Sequence, residues 1–370
     1  FLLGNYRIEN ILPGGSEDMI DVSGAPNKKL RWEKTHSVNA GFDFAVLNQA
    51  INLSVDYYYR KGVDLIGTQM LPLETGFEML TVNWASMRNQ GVEVALSTRN
   101  VHTKNFMWTT NFNFAYNNNK VLKEALREDA LEPGREGYPA GALFALKTAG
   151  LDEEGYPMFQ DKDGKAVSAM EFFKLQEWGF GATDLTARER RELYTYVGTA
   201  DCPYTGGFNN TFTYKAFELG VNFSFDFGGK VRSQPTYSIV DFDKGRNTNR
   251  DILNRWTPEN TETIFPVLLS QNERLDEYMW YSNQNEIYRN LDIWIRDLNY
   301  VRLQNIRLGY TLPTNFSRTL GMTSATVAIE GRNLLVFGSS YKNYLDPETM
   351  SNAYATPAPK SVTLSLNLIF

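Results

Sequence analysis

The residues best suited to reaction chemistry in this 370-residue chain are few: two histidines, one cysteine and several close carboxylates. His36 and His102 have no serine nucleophile and no metal-ligand partner at a recognisable spacing, so neither builds a triad or a metal centre. The pairs Glu153-Glu154 and Asp161-Asp163 invite comparison with a glycosidase or a calcium loop. Asp161 to Gly164, however, lacks the third ligand and the distal glutamate that calcium requires, and reads as a solvated hairpin turn. Cys202 stands alone and excludes an intramolecular disulfide. The chain is therefore read as a non-enzyme with no catalytic, cofactor-binding or metal-binding residue. What remains for ligand contact is aromatic: Trp178, Tyr204, Trp280 and Tyr281 fall in two long loop-like stretches. There they could stack on sugar faces, meet peptide side chains or simply pack.

The elements that must position those loops are strands. Ser361 to Phe370 alternates Val362, Leu364, Leu366, Leu368 and Phe370 with Ser361, Thr363, Ser365 and Asn367, so one face is apolar and the other small and polar. The same period recurs over residues 32–47, 50–66, 91–98, 106–117, 207–214, 219–227, 298–312 and 326–337, giving about nine strands. In 298–312 the apolar phase slips between Leu303 and Ile306, which predicts a β-bulge. A short helix is expected from Thr186 to Gly198, because Thr186 and Glu189 have capping-box spacing.

Connections alternate in length: 48–49, 104–105 and 215–216 are short, whereas 67–88, 118–204 and 228–296 are long. Membrane barrels show this asymmetry, with short periplasmic turns and long extracellular loops. The polar faces carry Asn, Ser, Thr, Asp and Gly, which suits a wet lumen, and aromatics gather toward strand ends as in interfacial girdles. No apolar run approaches the roughly 18 residues of a membrane helix, so any membrane crossing is by β-barrel. The net charge of -6, with no basic stripe for phosphate backbones, excludes a nucleic-acid binder. Two alternatives stay open on composition alone, a passive porin and a soluble β-rich carbohydrate-binding module.

Short motifs then add a resemblance. Leu30-Arg31-Trp32-Glu33, Asn89-Gln90-Gly91-Val92-Glu93 and Asn119-Lys120-Val121 occur in the order seen in the SusC-like branch of TonB-dependent outer-membrane transporters. Gly137-Tyr138-Pro139, Gly150-Leu151-Asp152 and Arg255-Trp256-Thr257-Pro258-Glu259-Asn260 follow. Tyr300-Val301-Arg302-Leu303, Leu308-Gly309-Tyr310, Gly331-Arg332-Asn333-Leu334 and Asp346-Pro347-Glu348 complete a series that resembles that family's C-terminal barrel half.

The resemblance implies an all-β fold, part of a transmembrane antiparallel barrel of about 22 strands. Residues 1–30 are expected to be loop and the end of a preceding strand, and 31–370 barrel, with large extracellular loops at 118–204 and 228–296. The plug domain and TonB box are not in this sequence. The implied activity is active import of oligosaccharides or peptides across the outer membrane. The implied partners are a SusD-like surface lipoprotein acting as lid, TonB with ExbB and ExbD acting through the N-terminal part, and outer-membrane lipid. Phe370, a terminal aromatic on a terminal strand, resembles the signal read by the barrel-assembly machinery.

Overall fold

The computed structural model describes residues 5–12, 15–21, 24–77, 79–126, 128–176, 183–233, 245, 250–267, 290–319, 321–338, 346–349 and 355–370. In chain order the strands begin with β1 (Asn5–Leu12), β2 (Gly15–Asp21), β3 (Gly24–Ala25), β4 (Lys34–Val46), β5 (Ile51–Met70), β6 (Met79–His102) and β7 (Phe106–Lys123). The first long excursion then carries β8 (Ala142–Leu146), β9 (Thr148–Leu151), β10 (Pro157–Gln160), β11 (Ala166–Val167), helices α1 (Ala169–Phe172) and α2 (Ala187–Glu192), and β12 (Tyr194–Thr199). Long strands resume with β13 (Tyr204–Tyr214), β14 (Phe217–Arg232) and β15 (Ile295–Thr311). Helix α3 (Thr314–Thr319), β16 (Ser324–Phe337) and β17 (Ser361–Ile369) close the chain.

Nine long strands form one antiparallel sheet in the order β17-β16-β15-β14-β13-β7-β6-β5-β4, and β3 adds in parallel against β6. Sequential strands are neighbours throughout. The one jump, from β7 to β13, spans the first excursion, whose own strands pair among themselves. β1 pairs only with β2, in a separate two-stranded sheet, so the first thirty residues hold a hairpin where the sequence reads mostly as loop.

The alternation read from the sequence is the one the sheet uses. Phe42 is 60% exposed and Leu364 76%, so the apolar side faces outward with none of the described residues packed over these side chains. The same residues would be buried in a sandwich, whose two sheets pack their apolar faces together. Stacked cross-strand pairs stiffen this face, among them Trp108 on Phe212 at 5.6 Å and Phe208 on Phe223 at 4.7 Å. Asn210, a polar group on this side, is satisfied locally by the Trp108 indole N–H at 3.0 Å and the Thr110 hydroxyl at 2.7 Å.

The predicted bulge is present. Between β14 and β15 the pairing skips from Asn222↔Asn305 to Phe223↔Leu303, leaving Gln304 as the extra residue. That one insertion brings Val301 and Leu303 back to the face of Ile306 and Leu308. The expected helix at 186–198 is shorter: Thr186 closes a capping box with Glu189 over α2, but Tyr194 onward pairs with β8 instead. Tyr194, Tyr196 and the β-branched Thr195 and Val197 favour extended backbone once a partner strand is offered.

Among the described residues no helix is long and apolar enough to cross a membrane. β5 and β6, with 20 and 24 residues, exceed the roughly 9–11 that a tilted strand needs to cross hydrocarbon. Their loop-side ends extend beyond that band.

Candidate functional site: a polar wall and its outer cap

The inner face of the sheet is a wall of amides and hydroxyls. Strand register places Asn52, Ser97, Asn111, Asn209, Asn222 and Asn305 directly opposite one another on six successive strands, β5 to β15 across the sheet. This belt lies along a hollow of about 540 Å³ whose lining includes Asp43, Ser54 and Asn113. Neutral amides offer both donors and acceptors without fixing a charge, so the wall can exchange hydrogen bonds with water or a polar cargo.

Two sequence motifs shape the wall. Tyr58 lies across Gly91 of the neighbouring strand, so that its hydroxyl donates to Asn117 Oδ1, 2.8 Å away on the strand beyond. A Cβ at Gly91 would sit 2.6 Å from that hydroxyl and 2.1 Å from the Tyr116 carbonyl oxygen. The glycine of the Asn89 to Glu93 motif is therefore required by a crossing side chain.

The second motif pair is ionic. Arg302, 1% exposed, donates through Nη2 to Asp346 and through Nε to Glu348 at 2.8 Å. Asp346 also accepts from the backbone N–H of Glu348 at 3.0 Å and of Ala358 at 3.1 Å. The Tyr300 hydroxyl donates to Asp226 on β14. Tyr300-Val301-Arg302 and Asp346-Pro347-Glu348 thus act together, pinning the loop between β16 and β17 to the wall.

Above the loop-side ends of the strands the two long excursions fold onto each other. Leu146, Phe159, Phe172, Phe173, Leu291 and Trp294 form a core packed by Phe265 and Val267, and Phe159 is stacked on Phe172 at 4.8 Å. Residues of both excursions are needed: the Leu146 N–H donates to the Asn290 carbonyl at 2.8 Å, and the Thr148 hydroxyl to Asp292 at 2.6 Å. The Arg255 to Asn260 motif belongs to this joint. Trp256 covers Gly155, where φ is +88° and a Cβ would meet the indole at 2.5 Å, and the Val267 N–H donates to the Gly155 carbonyl.

Burial, reinforced by the Asp226 carboxylate, pushes the Cys202 thiol above its ordinary range. A raised thiol pKa lowers the share of the nucleophilic thiolate. Burial also raises the Tyr194 hydroxyl, which accepts from the Asn290 side-chain amide at 3.2 Å. Among the described residues no group of His, Cys, Asp and Glu could hold a metal.

Of the aromatics singled out in the sequence, Trp178, Trp280 and Tyr281 lie outside the described residues. Tyr204 is the first residue of β13, not part of the loop. It faces outward level with Tyr116 and Tyr57, its ring 5.1 Å from that of Tyr116. Phe370 follows β17 and is 82% exposed. The Asn belt was legible as alternation, but its alignment across strands needed the register. The Arg302 cluster joins residues 44 positions apart in the chain, which no local pattern reveals.

No family model matches the chain. It is 27% identical over 372 residues to TonB-dependent receptor P3 of Formosa agariphila, spanning 93% of this chain and 35% of that protein. It is 26% identical over 365 residues to TonB-dependent receptor SusC of Bacteroides thetaiotaomicron, spanning 92% and 32%. The structure of the RagAB peptide transporter superposes with a TM-score of 0.75 at 23% identity, over 99% of this chain and 38% of that one. The chain spans about a third of the length of the curated relatives it matches. Its fold is that of a TonB-dependent outer-membrane β-barrel, its resemblance to the SusC-like branch runs along most of its length, and its relatives are receptors and transporters rather than enzymes.

Proposed function

We propose that this chain supplies part of the wall and the outer cap of a TonB-dependent importer, which draws oligosaccharides or peptides across the outer membrane. One observation carries the reading. A sheet with a bare apolar outside and an amide-lined inside is surmounted, at its long-loop end, by a cap built jointly from both excursions. A passive porin needs a wet wall but no folded cap over it.

The cap offers a surface for a SusD-like lipoprotein lid, and residues 346–348 are held against the inner wall by Arg302. Trp178, Trp280 and Tyr281 are proposed to meet cargo or lid. Tyr204 is proposed to belong to the tyrosine belt at the membrane boundary, and Phe370 to be the residue read during barrel assembly. TonB, ExbB and ExbD would act through a plug-bearing segment.

The test is uptake by intact cells that express the full-length protein, with and without a functional TonB system. Import of labelled oligosaccharide or peptide pools should stop when TonB coupling is lost, and a lipoprotein should copurify in mild detergent. Uptake that continues unchanged without TonB would make the protein a porin.

A further inference from the structure

The apolar outer face ends, at its loop side, in a row of positive charge. On β5 the outward residues run Ile51, Leu53, Val55, Tyr57, Tyr59 and then Lys61. β6 and β7 follow the same order, with Val92, Gln90 and Arg88 and with Tyr116, Asn118 and Lys120, while β4 stays apolar through Ala40 and Val38 and ends at His36. Register sets His36, Lys61, Arg88 and Lys120 directly opposite one another on β4, β5, β6 and β7. The row lies ten residues above the Val46–Ile51–Thr98–Thr110 row, the distance at which a tilted strand of roughly 9–11 residues leaves the hydrocarbon. At the ~4.8 Å strand spacing it is about 14 Å wide.

Like charges placed directly opposite on adjacent strands repel. Among the described residues no carboxylate answers Lys61, Arg88 or Lys120. Asp64, three residues along β5 from Lys61, is taken by Arg31 at 2.6 Å and Lys34 at 3.9 Å. The Arg88 Nε is buried and has no hydrogen-bond partner. Lys123, on the same face by register, extends the positive field toward the loops, its ammonium 4.6 Å from the Trp84 ring centre. A half-buried guanidinium flanked by two lysines, none of the three met by a carboxylate among the described residues, is a phosphate-binding arrangement.

On this face the molecule that supplies a phosphate is a lipid. The residues below are lipid-covered, and the row stands at headgroup depth, where basic residues recognise anionic headgroups. We propose that Lys61, Arg88 and Lys120, with His36 beside them, bind the phosphate of a phosphorylated glycolipid in the outward leaflet. The site is separate from the lumen and independent of cargo. It gives the wall a specific annular lipid on its β4–β7 side.

The experiment uses the full-length protein in phosphatidylcholine nanodiscs doped with lipid A or with enzymatically dephosphorylated lipid A, and retained lipid is read by native mass spectrometry. The protein should retain lipid A, lose most of that retention when the phosphates are removed, and be unaffected by inorganic phosphate in the buffer. Lys61→Gln and Lys120→Gln should each weaken retention about fivefold, and the triple variant with Arg88→Gln should abolish it. Arg88→Lys should keep most of it. Gel mobility of the unheated barrel reports folding, and should the triple variant not fold, the two single lysine variants decide. Equal retention of lipid A and its dephosphorylated form, or single variants indistinguishable from the parent, would overturn the proposal. Displacement by inorganic phosphate at equal concentration would also overturn it, because the site would then be a phosphate site without a lipid.

Discussion

The sheet and the cap are stabilised in opposite ways although one chain builds both. In the cap, Trp294 is 1% exposed and Phe159 and Leu146 are fully buried, as in a small water-soluble domain. In the sheet, residues of the same kinds, Phe42, Leu364 and Phe337, stand bare. A cap residue gains by leaving water, whereas an outward sheet residue gains only if hydrocarbon replaces water around it. The sheet's cohesion comes from the backbone ladder and cross-strand aromatic pairs, which a membrane strengthens because no water competes for the hydrogen bonds. Burial therefore separates the two regions more clearly than composition does.

Truncating the cap core should have the largest effect. Phe159→Ala or Trp294→Ala is expected to cost about 3–5 kcal/mol, and the loss should stay in the cap. Limited proteolysis would then cleave within 124–203 and 233–294 while the heat-modifiable barrel band persists. Loss of that band together with the cap would show that the two regions fold as one unit.

Breaking the buried ion cluster comes next. Asp346→Ala leaves Arg302 without its most buried partner, a change worth about 3–5 kcal/mol where the charge cannot be rehydrated. Here the aqueous lumen lies close by, so the lower end is expected. Release of the β16–β17 loop should be measurable as faster hydrogen exchange at 346–349, with exchange in the cap core unchanged.

Chemistry at Cys202 gives a third contrast. Its raised thiol pKa predicts slow alkylation by iodoacetamide at pH 8, accelerating only above the ordinary thiol range, with full reactivity after unfolding. Rapid labelling of the native protein at pH 8 would show that the seam between cap and sheet is open.

The smallest effect belongs to α2. Thr186→Ala should cost about 1 kcal/mol and fray the helix alone. The Glu189 carboxyl is held below its ordinary range by the Thr186 backbone N–H and hydroxyl. Its contribution is present above about pH 4.3 and lost as the pH falls through the lower folded value. The protection factor in α2, with the intrinsic pH dependence of exchange removed, should fall at acid pH in the parent and be pH-insensitive in Glu189→Gln.

Much of the sheet was legible in the sequence because a period of two needs only neighbouring residues. Even the bulge at Gln304 showed as a phase slip between Leu303 and Ile306. The cap was not legible. Its core joins Leu146, Phe159 and Trp294 from segments that carry no common period, and its strands are only two to six residues long. The basic row escaped notice for a related reason. His36, Lys61, Arg88 and Lys120 are ordinary residues at strand ends until the register aligns them, and a net charge of -6 hides a local cationic strip.

Which face of the sheet meets lipid is read most directly on β7. In a Cys202→Ser background, spin labels placed singly from Thr109 to Asn117 would be scored for collision with oxygen, which partitions into lipid, and with a water-soluble nickel complex. Phe112, Phe114 and Tyr116 positions should favour oxygen and Asn111, Asn113 and Asn117 positions nickel, alternating residue by residue. Uniform access to nickel along both faces would contradict the membrane wall and leave a water-soluble sheet.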